Sequence, residues 1–204
     1  PPVSISDQWI ENVKARQPEM KEEKMERYQR EYQLSSYDAD LLTNSKHMAD
    51  LFEETAALTK KPKEAANWLM VEGMRLLKEY SMEPEKITFS AENLAKLIIL
   101  VDNGTVTRTV AKEVFEKIFS ENIDPQVYVE EKGLTSVNDE EALFGEIQKV
   151  VNENPQSVKD YLGGKEKAMG FLVGQTMRAM KGKADPAAVN RILKEILSGV
   201  KEIV

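Results

Sequence analysis

The stretch Asp185-Pro186-Ala187-Ala188-Val189-Asn190-Arg191-Ile192-Leu193-Lys194-Glu195-Ile196-Leu197 decides the fold class. Asp185 is an N-cap by type, with a side chain suited to accept from first-turn amides, and Pro186 sacrifices nothing at the first helical position, where the amide is unpaired anyway. Val189, Ile192, Leu193, Ile196 and Leu197 then recur at spacings of three and four, on one helical stripe. Outward from there the same grammar repeats. Ser6 caps a first segment through Trp9, Ile10 and Val13, and Pro18 opens a densely charged second one. Ser36, and then Asn44 or Ser45, cap two more, the second carrying Met48, Leu51 and Phe52. Pro62 opens a long helix to about residue 80 that places Ala66, Leu69, Met70, Gly73 and Leu77 on one face. Ser90 caps the next, with Leu94, Leu97, Ile98 and Val101, and Asn103-Gly104 ends it. A helix from Val106 to about residue 119 follows, then a short one from Pro125 that Gly133 terminates. Further starts fall at Asp139, Pro155, near Lys165 and at Pro186. No segment sustains a period of two, so the spacing predicts an all-α chain of about ten helices.

The polar, helix-poor residues between Gly133 and Asn138 read as a module boundary, giving a helical domain over 1–133 and a smaller tail of three or four helices over 138–204. The opening Pro1-Pro2-Val3, without methionine, reads as a fragment or a processed chain.

Composition excludes whole classes of function. The 204 residues contain no cysteine and one histidine, which removes disulfide frameworks, Cys-ligated metals and multi-His metal sites, so no metal is expected. The longest apolar run, residues 97–101, is far short of the ~18 residues of a membrane span, and nothing at the start reads as a signal peptide. No membrane and a cytoplasmic location are the expectation. The net charge of -7 argues against nucleic acid as a partner, but only as an average. The first 137 residues hold 18 Lys+Arg against 25 Asp+Glu, whereas 138–204 hold 10 of each. Within the tail, residues 159–183 carry six cations against two carboxylates.

Helical geometry sorts that cationic segment at roughly 100° per residue. Met169, Leu172, Val173, Thr176, Met177 and Met180 fall on one side, a face to bury. Lys167, Gly170, Gly174, Arg178 and Lys181 fall on the other, so two glycines and three cations share a stripe. Each glycine inside a helix costs about 1 kcal/mol relative to alanine, so the pair marks a place where something approaches the backbone. Two readings are open: a small-xxx-small contact with a neighbouring helix, or a phosphate chain drawn to bare backbone by the cations. Phe171 belongs to the core on this reading, although it could stack on a base.

Other constellations fail on spacing. Ser45, His47 and Asp50 supply triad residue types, but all within six residues of one helix, without a separate orienting group. Gly163-Gly164-Lys165 lacks the four-residue gap of a phosphate loop and follows no strand, so it reads as a turn between helices. Glu22-Glu23 and Glu130-Glu131 read as solvated helix faces. No catalytic residue is expected.

Several strings then converge on a known family. Asn154-Pro155, Val158, Asp160-Tyr161, Gly164-Lys165-Glu166-Lys167-Ala168, Gly170-Phe171-Leu172-Val173-Gly174-Gln175, Met177, Lys181-Gly182-Lys183-Ala184 and Pro186 resemble the C-terminal tail of the B subunits of aspartyl/glutamyl-tRNA amidotransferases (GatB). Tyr37-Asp38-Ala39, Ala65-Ala66-Asn67-Trp68-Leu69 and Gly104-Thr105 with Ala111-Lys112-Glu113-Val114-Phe115 resemble the helical domain of the same family. The chain departs from the family pattern at Arg108-Thr109, where a glycine and a small or basic residue are common.

The resemblance implies a fragment that lacks the catalytic domain, in which ATP and magnesium serve to activate Glu or Asp misacylated on tRNA; no cofactor is implied for this part. It implies a ligase of which this fragment alone is not an enzyme, the A and C subunits as partners, and a YqeY-like tail that holds the tRNA body. The tRNA-binding residues it points to are Lys165, Lys167, Gly170, Gly174, Gln175, Arg178, Lys181 and Lys183. The alternative function is a helical protein-interaction module whose glycine stripe docks a helix.

Overall fold

A computed structural model of the chain describes Gln8, Trp9, Asn12 and residues 18–201. Every regular element among them is a helix, so the fold is all-α as expected. By its internal contacts the chain divides into two compact units, 1–87 and 88–204.

The first unit contains α1 (Lys21–Tyr32), α2 (Ser36–Thr43), α3 (Lys46–Thr59), α4 (Pro62–Asn67) and α5 (Met74–Glu79), the last two joined by a π-helical segment, Trp68–Gly73. The segment expected from Ser6 to Val13 lies outside the described residues except for Gln8, Trp9 and Asn12, which are helical and exposed. Three expectations shift. α1 begins three residues after Pro18, at Lys21, where the Glu23 carboxylate accepts from the Met20 amide at 3.2 Å. The cap of α2 is Ser35, whose hydroxyl accepts from the Asp38 amide at 3.0 Å, and Ser36 is the first helical residue. The helix opened by Pro62 runs to Glu79 through that π turn, and Ala66, Leu69, Gly73 and Leu77 are buried as expected, together with Trp68, Glu72 and Leu76. Met70, expected on the same face, is only half-buried.

Tyr28, Phe52 and Trp68 are the largest fully buried side chains of this unit, with Tyr28 and Phe52 edge to face at 4.9 Å. Tyr28 keeps its polar tip satisfied by donating to Glu53 Oε1 at 2.6 Å. The same carboxylate takes ion pairs from Lys24 at 2.9 Å and Arg27 at 3.1 Å. Burial works to raise the Glu53 pKa, but these hydrogen bonds and cations outweigh it and hold the carboxyl below the usual glutamate range. Burial, and then the bond to Glu53, push the Tyr28 hydroxyl far up.

The second unit contains α6 (Ala91–Asp102), α7 (Arg108–Glu121), α8 (Pro125–Lys132), α9 (Glu140–Glu153), α10 (Pro155–Leu162), α11 (Lys167–Ala179) and α12 (Pro186–Lys201). Side chains of Ser90, Thr107, Asp124, Asp139 and Asp185 cap α6, α7, α8, α9 and α12 through bonds to first-turn amides. Gly133 closes α8 in the left-handed region, at φ 59°. Leu94, Leu97, Ile98, Val114, Phe115 and Ile118 interleave α6 with α7. A second hydrophobic cluster is drawn entirely from 143–197 and includes Leu143, Ile147, Leu172, Val189, Leu193 and Leu197. The stretch 134–137, read in the sequence as a module boundary, lies inside this unit and is crossed by hydrogen bonds. Ser136 N donates to Thr105 O and Val137 N to Lys183 O, both at 2.8 Å.

Candidate nucleic-acid interface

Three side chains of α11, those of Met169, Leu172 and Thr176, are buried, and the Thr176 hydroxyl is satisfied by the Leu172 carbonyl at 2.9 Å. Val173 and Met177 flank that face half-buried. Because this stripe must enter the cluster formed with α9 and α12, the opposite face of the helix is turned outward. Lys167, Gly170, Gly174 and Arg178 all lie there, exposed. A Cβ built on Gly170 or Gly174 would meet nothing within 4 Å, so among the described residues neither glycine makes room for a helix. The small-xxx-small contact is therefore not made within the described chain.

Phe171 is 47% exposed on the same side of the helix, which corrects its assignment to the core. Periodicity places it near the cations, but does not show how far neighbouring elements leave it uncovered. Its exposure puts an aromatic face beside bare backbone and positive charge, the residue types that accept a stacked base.

The other predicted residues divide. Lys165 precedes α11 and pairs with Asp160 at 3.0 Å; this bond, helped by Gln156, holds the Asp160 carboxyl below its usual range. Gln175 is half-buried on the flank. Lys181 and Lys183 are not on the helix at all. α11 ends at Ala179, and Gly182 N donates back to Met177 O at 2.9 Å, closing a Schellman-type turn in which Lys181 has φ 52° and Gly182 φ 72°. The wheel position expected for Lys181 does not apply; its side chain leaves from a left-handed turn, exposed, with Lys183 half-buried two residues on. Among the described residues, no carboxylate engages Lys167, Arg178, Lys181 or Lys183.

Two further residues hold that turn, neither of them counted among the predicted site residues. Thr107 Oγ1 donates to Gly182 O at 2.6 Å, and Thr109 Cγ2 stands 2.9 Å from where a Gly182 Cβ would lie. The departure at Arg108-Thr109 marks the place, but its partner is more than 70 residues away, a pairing that periodicity does not reveal.

The weak triad dissolves. Ser45 Oγ caps α3 on the Met48 amide, Asp50 pairs with Lys46, and His47 Nε2 lies 3.1 Å from the Ile87 carbonyl. Gly163-Gly164 forms the expected turn between α10 and α11, with Gly164 at φ 94°. Among the described residues no helix is long and apolar enough to cross a membrane.

Comparison with known proteins agrees with the strings quoted above. The family described as "GatB domain" matches residues 50–197. The B subunit of the aspartyl/glutamyl-tRNA(Asn/Gln) amidotransferase of Agathobacter rectalis is 58% identical over 96% of the chain and 41% of its own length. Its counterpart in Lachnoclostridium phytofermentans is 52% identical over 97% of the chain and 41% of its length. That of Thermotoga maritima is 43% identical over 98% of the chain and 41% of its length. The chain thus spans about two fifths of the curated relatives it matches, which are components of multi-subunit amidotransferases, and it belongs to the GatB family.

Proposed function

We propose that this chain is the tRNA-holding part of the B subunit of a glutamine-dependent aspartyl/glutamyl-tRNA amidotransferase, and that it positions Glu-tRNA(Gln) or Asp-tRNA(Asn) for ATP-dependent transamidation. The observation that carries this reading is the outward face of α11. Lys167 and Arg178 flank two glycines open to solvent, with Phe171 exposed beside them, in a chain 58% identical to part of a tRNA amidotransferase. Open backbone admits a phosphate chain closely, unengaged cations neutralise it, and an aromatic ring stacks on an unpaired base. Lys181, Lys183 and Lys165 extend the cationic surface beyond the two ends of the helix, and Gln175 supplies an amide on its flank. Phosphate contacts of this kind fix position without reading sequence, so recognition is of RNA shape.

ATP, magnesium and the chemical step belong, on this reading, to the part of the relatives that this chain does not span. The A and C subunits are its protein partners and the cytoplasm its place of work. The chain alone is then not an enzyme, and ATP turnover by it contradicts the assignment. Fluorescence anisotropy with labelled tRNA tests the interface itself. The chain binds, and Lys167→Ala with Arg178→Ala weakens binding by about tenfold or more, since each lost phosphate contact removes part of the electrostatic attraction. Binding that is absent at low salt, or equal for the double variant, overturns the RNA reading and leaves a helix-docking face in its place.

A further inference from the structure

The turn that carries Lys181 and Lys183 is built against its own local preferences. Lys181 sits at φ 52°, a region unfavourable for a side chain with a Cβ, and is followed by Gly182 at φ 72°, so two consecutive residues are left-handed. Such a conformation persists where the surroundings fix it from several sides. Here three fixings come from outside α11. The Gly182 carbonyl accepts from Thr107 Oγ1 at 2.6 Å, the Lys183 carbonyl accepts from Val137 N at 2.8 Å, and the Thr109 methyl fills the space against Gly182 Cα. Thr107 at the same time caps α7 by accepting from Val110 N at 3.2 Å. One hydroxyl therefore joins the first turn of α7 to the cationic turn 75 residues away.

We propose that Thr107 and Thr109 are positioning residues for RNA binding. They form a clasp that holds the Lys181–Gly182–Lys183 turn at a fixed place beyond the end of α11, so that its two ammonium groups meet the RNA together with Lys167 and Arg178. This rests on the RNA reading above and adds to it residues that touch no RNA. The clasp accounts for three features at once: glycine is required at 182 both by φ and by the space Thr109 takes, a hydroxyl donor is required at 107, and the backbone between Gly133 and Asn138 is bonded to the turn rather than left as a free linker.

The experiment uses the whole chain and neutral substitutions. Thr107→Val removes the donor, Thr107→Ser keeps it, and Gly182→Ala drives a Cβ into Thr109, where Thr109→Ser makes room again. Amide hydrogen exchange at Gly182, Lys183 and Val137 reads the clasp without RNA. Thr107→Val and Gly182→Ala accelerate exchange there by about tenfold or more while α12 amides are unchanged, Thr107→Ser behaves as the parent, and Thr109→Ser restores part of the protection lost in Gly182→Ala. Binding of labelled tRNA reads the positioning role: Thr107→Val weakens it about threefold to tenfold and flattens its salt dependence. In a Lys181→Ala, Lys183→Ala background the same substitution adds nothing. A structural role unrelated to the turn gives an equal loss in both backgrounds, which overturns the proposal, as does unchanged exchange at Val137 in Thr107→Val. If the parent chain binds no tRNA, the RNA reading falls and the positioning role with it, whatever the exchange data show of the clasp. If the parent binds and Thr107→Val binds equally, the positioning role alone falls.

Discussion

A Cβ at Gly174 would meet nothing within 4 Å, whereas at Gly182 it would stand 2.9 Å from Thr109 Cγ2 on a backbone at φ 72°. Alanine therefore has opposite effects on stability at the two sites. Gly174→Ala stiffens an exposed helical position and stabilises the fold by about 0.5–1 kcal/mol, a rise of a few degrees in Tm by calorimetry, while weakening tRNA binding because it covers the open backbone. Equal tRNA affinity in a stabilised Gly174→Ala variant would show that the glycines do not face RNA. Glu53 makes a second prediction at this scale. Its folded pKa lies below the ordinary value, so the ionised form favours the native state; that contribution is complete above the unfolded glutamate pKa of about 4.3 and is lost as the pH falls through the lower folded value. Glu53→Gln leaves the buried Tyr28 hydroxyl with a poorer acceptor and costs about 1–2 kcal/mol at neutral pH. Urea denaturation at pH 7 and near pH 3 checks this, the difference between parent and variant shrinking in acid. Residue types announced the caps and the glycine stripe, but not Glu53, whose three partners converge only through tertiary packing of α1 on α3.

Among the elements, α11 offers the candidate interface because its inner face is buried in the core. Leu172, fully buried among α9 and α12 residues, fixes which side of the helix is offered to solvent. Leu172→Ala costs about 2–5 kcal/mol by denaturant unfolding, and a loss well under 1 kcal/mol means that the buried face, and with it the outward stripe, has been misplaced. Periodicity was sufficient to separate these faces because the helix is regular from Lys167 to Ala179. It failed where regularity ends. A constant 3.6-residue period carries Lys181 on around the wheel past the true end of the helix, and it does not show the π turn at Trp68–Gly73, within which Met70 is only half-buried. Phe171 departs from expectation for a different cause: an aromatic residue is assigned to the core on hydrophobicity, and only the surroundings reveal that about half of it stays exposed.

On the scale of the molecule, the acidic average of -7 conceals a neutral tail with its cations gathered in 159–183, and the structure turns several of them outward on and just beyond one helix. The all-α class was legible throughout, since caps and helical spacing agree along the chain. The division of the chain was less so: 134–137 has linker composition, yet its backbone is bonded to Thr105 and to Lys183, partners that no local pattern indicates. The central claim is that this chain holds tRNA through phosphate contacts made by Lys167, Arg178, Lys181 and Lys183. Its most direct test is the salt dependence of tRNA binding by the unmodified chain, from about 50 to 200 mM monovalent salt. Four contacts predict that the logarithm of the association constant falls against the logarithm of salt with a slope of about -3, and that the slope flattens by about half without Lys167 and Arg178. A slope near zero, or one that the double substitution leaves unchanged, would contradict the account.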